Sequence, residues 1–127
     1  MRAGAAAAIL LLACCTDPRA RPVAPIVQLS FAPGFRLKSP GSVVASLYLF
    51  DEDGLDSLDV SVRSADSALV GDSITLFGGD QELTLPVSWQ VPSGIPIGTA
   101  VTLIARARDF KGFITADTAH LSVQDTI

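Results

Sequence analysis

Cysteine occurs at only two positions in the 127 residues, the adjacent Cys14 and Cys15, so no disulfide can form within the chain beyond them. Any folded domain downstream is therefore stabilised by packing alone. Histidine is equally scarce. With His120 as its single representative, a zinc site built from several imidazoles is excluded, and a Ser-His-Asp set would have to recruit that one residue. No Gly-x-Ser-x-Gly elbow is present, and Gly78-Gly79-Asp80 reads as a tight turn rather than a phosphate-cradling loop. Paired carboxylates occur only between Asp51 and Asp56, where exposure would keep them ionised and unsuited to acid–base work. The expectation is a protein that is not an enzyme. A basic excess is missing too: nine Lys and Arg stand against thirteen Asp and Glu, which argues against nucleic acid as a partner. The apolar run Ala5–Leu12 falls well short of the roughly 18 residues that a membrane-spanning helix needs.

That short run has the flanks of an export signal. Met1-Arg2 supplies a positive start, Ala5–Leu12 the apolar centre, and Ala13 a small residue ahead of Cys14. Leu11-Leu12-Ala13-Cys14 resembles a bacterial lipobox, in which the cysteine is acylated and becomes the new N-terminus. Cys15 is the poorer candidate, because a cysteine rather than Ala, Gly or Ser would precede it. The resemblance implies attachment to a membrane through several acyl chains, since one chain alone holds only reversibly. A residue other than Asp after the modified cysteine, here Cys15, implies the outer membrane in an organism with two. Loss of residues 1–13 removes one arginine and no acid, giving a mature net charge of −5. Residues 14–24 then comprise the lipidated cysteine and a linker containing Pro18 and Pro22, with Pro25 just beyond. Extended at about 3.1 Å per residue, ten such residues would hold a domain roughly 30 Å from the lipid.

Residues 25–127 form the expected domain. From residue 26 no helical period recurs, whereas period-two alternation does, in segments separated by Gly, Pro, Asp and Ser. Val43, Ala45, Leu47 and Leu49 share a face opposite Val44, Ser46, Tyr48 and Phe50. Leu58, Val60 and Val62 alternate with Asp59, Ser61 and Arg63, and Leu83, Leu85, Val87, Trp89 and Val91 alternate with polar residues and Pro86. Proline cannot donate to a ladder, so Pro86 places its strand at an edge or a bulge. Val101, Leu103, Ala105 and Ala107 oppose Thr102, Ile104, Arg106 and Arg108, and Ala119, Leu121 and Val123 close the domain, with His120 facing away from the core. An opening strand at Ile26–Phe31 and a short one at Ile74–Phe77 bring the expected count to seven. About seven strands in a hundred residues suit a two-sheet antiparallel sandwich.

Two Asp-x-x-Gly turns carry a further resemblance. Asp51-Glu52-Asp53-Gly54-Leu55 and Ala105-Arg106-Ala107-Arg108-Asp109-Phe110-Lys111-Gly112, with Gly98-Thr99 leading into the latter strand, resemble the B–C and F–G turns of bacterial immunoglobulin-like domains. The resemblance implies an all-β, Ig-like sandwich in which both turns lie at one end and strands C and F are paired. Asp59 would then face an arginine across the ladder. The cysteines of antibody domains at strands B and F are absent. Turn chemistry alone accounts for both motifs, because Asp accepts hydrogen bonds from amides two residues on and Gly supplies positive φ. Alternatively Asp51, Asp53, Asp56 and Asp109 converge on calcium, which takes six to eight oxygens, although the Asp-x-Asp-x-Asp-Gly loop pattern is not met. Tyr48, Phe50 and Ile104 are outward apolar groups on opposite sheets, the first two expected under the segment Phe31–Leu37. The expected role is a membrane-anchored, non-catalytic binding or adhesion module with a protein or glycan partner; a structural spacer in an envelope complex is the alternative.

Overall fold

The computed structural model describes residues 23–126, so the export signal, Cys14 and most of the proline-rich linker lie outside the described residues. Eight strands follow in chain order: β1 (Ile26–Ser30), β2 (Leu37–Ser39), β3 (Gly41–Phe50), β4 (Leu55–Ser64), β5 (Val70–Leu76), β6 (Glu82–Val91), β7 (Ala100–Asp109) and β8 (Ile114–Thr126). The domain is all-β, with two facing sheets. One runs β1-β3-β6 and the other β2-β8-β7-β4-β5.

The expected inward positions form the core. Val43, Ala45, Leu47 and Leu49 of β3 are buried against Leu58, Val60 and Val62 of β4 and Val101, Leu103, Ala105 and Ala107 of β7. Burying a Val or Leu side chain contributes about 1.5–3 kcal/mol, and these alternating rows are what hold the two sheets together. Strand β6 lies at the edge of the three-stranded sheet, as Pro86 requires, paired only with β3 and with Pro86 opposite Ser46.

Three features differ from the sequence-based expectation. Among the described residues there are eight strands rather than seven: β2, only Leu-Lys-Ser, pairs with β8, burying Leu37 opposite Val123. That pair is parallel, so the sandwich is not wholly antiparallel. A three-residue segment has too few positions to display a period, so only its tertiary pairing identifies it. The third difference is β5, which spans Val70–Leu76 rather than Ile74–Phe77 and points Val70, Ile74 and Leu76 outward at 57%, 67% and 79% exposure. Its other face carries Gly71, Ser73 and Thr75; Gly71 lies against a large residue of the opposite sheet, while Ser73 and Thr75 line an open cleft between the sheets. A Cβ on Gly71 would come within 2.5 Å of Trp89 Nε1.

Polar groups also tie the sheets together. Asp117, on the inner row of β8, accepts the Leu29 N–H at 2.8 Å and so satisfies a donor on the outer edge of β1. The buried Ser39 hydroxyl donates to the Pro92 carbonyl at 2.6 Å and accepts the Ile95 N–H at 3.0 Å, anchoring β2 to the chain leaving β6.

Candidate metal centre

Strand β3 ends at Phe50, and the chain turns through Asp51 and Gly54 into β4. The Asp51 carbonyl accepts the Gly54 N–H at 3.1 Å while its Oδ1 accepts the Asp53 N–H at 2.7 Å. Gly54 has φ +93°, and a Cβ there would lie 2.9 Å from the Gly79 carbonyl oxygen, so glycine is required twice over. The second turn is built alike. Asp109 ends β7, its carbonyl accepts the Gly112 N–H at 3.1 Å, and its Oδ1 accepts the N–H groups of Lys111 and Phe113, each at 2.9 Å.

Both turns lie at the same end of the sandwich, as expected. Leu55 pairs with Asp109, and the Phe110 N–H donates to the Gly54 carbonyl at 3.2 Å. The β5–β6 connection joins them. Gln81 accepts the Asp51 N–H and Asp80 the Leu55 N–H, both at 2.8 Å, and the Gln81 amide donates to the Glu52 carbonyl at 2.9 Å. This third participant had no signal in the sequence beyond turn-forming residues, because its position depends on which strands neighbour one another.

The result is an unusual pair of carboxylates. Asp51 and Asp109 are 2% and 1% exposed; the Oδ1 of Asp51 accepts one backbone amide and that of Asp109 two, while each Oδ2 is buried without a hydrogen-bond partner. Leaving a buried polar group unsatisfied costs about 1–3 kcal/mol, more when it is charged. Asp53, exposed at the mouth, completes a group in which one oxygen from each of the three side chains lies within 4.8 Å of the others. Burial pushes the Asp51 carboxyl up to about 6; the bond from the Asp53 N–H opposes that, and the facing Asp109 carboxyl and the Asp53 charge add to it. With both groups ionised neither oxygen has a donor, whereas one shared proton or a cation satisfies both. The cluster of Asp51, Asp53 and Asp109 can therefore hold an ion.

Asp56 does not join them. A register shift between Leu55 and Ser57 makes it the extra residue on β4, and its carboxylate instead lies 4.0 Å from Arg108 Nε. The expected cross-strand charge pair is present: Asp59 is opposite Arg106, with Oδ2 3.9 Å from Nη1. Both side chains are well exposed, so the pair contributes little. The neighbouring Asp72 carboxyl, followed by burial, nonetheless raises the Asp59 pKa against the pull of Arg106. His120 is exposed on the outer face of β8, opposite Thr102.

A groove of about 590 Å³ lies on the outer face of the three-stranded sheet. Phe31 and Phe35 stack at 5.3 Å and line it with Val44, Ser46 and Pro86. The Phe31–Leu37 segment thus runs beside Val44 rather than over Tyr48, whose hydroxyl donates to Glu82 at 2.6 Å across the sheet.

No family model matches the chain, and no curated protein matches it. Among solved structures it is similar to the crystal structure of CopC from Methylosinus trichosporium OB3b, with 17% identity over 80% of this chain and 93% of that one and a TM-score of 0.44.

Proposed function

We propose that this chain is a lipid-anchored protein of the bacterial cell envelope whose Ig-like sandwich is a non-catalytic binding module. The observation that carries this reading is the groove on the three-stranded sheet: stacked aromatic rings, an apolar floor at Val44 and Pro86, and polar residues Ser30, Ser46 and Thr84 around it. A volume within the range of known ligand pockets supports this reading. In this reading the partner is a protein or a glycan, and an extended protein segment is the occupant proposed for the open trough. The Ig-like assignment is supported by the order of elements and by the matched Asp turns at one end.

In this reading Cys14 carries the acyl chains, the proline-rich linker holds the module off the outer membrane, and calcium is the cofactor at the Asp cluster. The test uses the full chain expressed in a diderm host. A photo-crosslinking group at Thr84 is expected to capture an envelope protein, with capture lost in Val44→Glu. Equal capture by Val44→Glu would remove the groove from the reading. A Cys14→Ser chain that still partitioned with membranes would remove the anchor.

A further inference from the structure

We infer that Asp51, Asp53 and Asp109 form a calcium-class cation site that pins the two sheets to each other at one end of the sandwich. The inference rests on the calcium reading above and adds to it a ligand set and a structural role.

Asp51 follows directly on β3 of the three-stranded sheet, and Asp109 is the last residue of β7 of the five-stranded one. An ion held by both would therefore cross-link the layers, a task for which this cysteine-free region has no disulfide. An acidic cluster alone would not warrant a site. Here a separate observation points inward: the Oδ2 atoms of two almost fully buried carboxylates have no donor at all. Their Oδ1 atoms are fixed by three backbone amides, so the free oxygens are held in place without using their remaining lone pairs. Asp53 supplies a third carboxylate from the exposed side, where water can complete a shell of six to eight oxygens. All-carboxylate ligation selects a hard cation, and the chain's one histidine, His120, is not in the cluster.

The role is structural rather than ligand-presenting. The groove is lined from Phe31, Phe35, Val44 and Pro86, at the middle of β3 and beyond, whereas the cluster follows the last residue of that strand. Occupancy would hold the Asp51 and Asp109 turns together without touching the groove.

The experiment follows the melting temperature and amide exchange of the full-length chain in millimolar calcium and in chelator. Mass action at a calcium concentration about a hundredfold above Kd predicts a rise of roughly 10 °C or more. Asp53→Asn, at an exposed side chain whose backbone N–H is untouched, is expected to melt like the parent in chelator and to lose most of the rise. Asp109→Asn keeps an Oδ1 acceptor for its two amides. It should melt higher than the parent in chelator, because one of two facing charges is gone, and should not respond to calcium. Exchange at Asp53, Lys111 and Phe113 should slow in calcium. A melting temperature identical in calcium and chelator would overturn the pin, as would a calcium response retained in Asp53→Asn and Asp109→Asn together. Groove capture by Asp53→Asn is read separately, so loss of the pin leaves the binding reading standing and loss of capture leaves the pin standing.

Discussion

Trp89 lies directly against Gly71. The indole comes from β6 of one sheet and the glycine from β5 of the other, and a Cβ at position 71 would approach Nε1 to 2.5 Å and Cδ1 to 2.8 Å. This contact bridges the two edge strands at one point, beside an open cleft that Ser73 and Thr75 line with Leu85 and Val87. Gly71→Ala would force the ring outward, at about 1–3 kcal/mol of stability for overpacking. A red-shifted tryptophan emission together with a lower urea midpoint is expected. An unchanged spectrum would show that the ring has room to yield.

The carboxyl of Asp51 gives the ion-free domain a pH dependence of definite sign. Its pKa of about 6 in the folded protein lies above the ordinary 3.8, so the native state binds the proton more tightly than the unfolded chain. Its contribution is therefore full below the ordinary value and is lost as pH rises through about 6. In chelator, the parent should lose stability relative to Asp51→Asn between about pH 4 and about pH 7. Urea titrations of both proteins across that range measure the difference, and parallel profiles would refute the shift.

Ser64 organises the β4–β5 connection. Its buried hydroxyl donates to Asp66 Oδ1 at 2.6 Å and accepts the Leu69 N–H at 2.9 Å, while Asp66 Oδ1 also accepts the Ala68 N–H at 3.1 Å. The Ser64 hydroxyl, ahead of the Ala68 amide, holds the Asp66 pKa below the ordinary carboxylate range. Ser64→Ala leaves a buried amide without its side-chain acceptor and should cost about 1–3 kcal/mol, read as a shift in denaturation midpoint. Ser64→Thr, which keeps the hydroxyl, should recover most of the loss; no recovery would assign the effect to packing.

Asp117 secures β1. Replacing it with alanine deprives the Leu29 N–H of its acceptor, and exchange at that amide should accelerate at least tenfold, for a bond to a carboxylate worth about 1.5–3 kcal/mol. Exchange at Leu29 equal to that of the parent would mean that water replaces the carboxylate without loss.

The inner rows of β3, β4, β6 and β7 were legible because a period of two cannot be satisfied by any other element once one face is apolar. The edge position of Pro86 was legible for a chemical reason, its missing N–H. The two Asp turns were legible as turns, and three of four suspected acids do meet. Asp56 was misplaced because the extra residue between Leu55 and Ser57 redirects it toward Arg108, and no pattern on β4 signals a bulge.

What the chain determined by itself was local: which residues alternate, where the backbone must turn, and that no disulfide could help. The tertiary structure decided what those turns mean. Asp51 and Asp109 are 58 positions apart, the first just past the end of β3 in one sheet and the second the last residue of β7 in the other. Only the packing of the layers brings their free oxygens face to face away from water, and it is this desolvated proximity, rather than the residue type, that turns two ordinary turn-capping aspartates into candidate ligands. By the same logic Gly71 reads as a weak point in an edge strand until Trp89 is seen to occupy the space of its missing side chain.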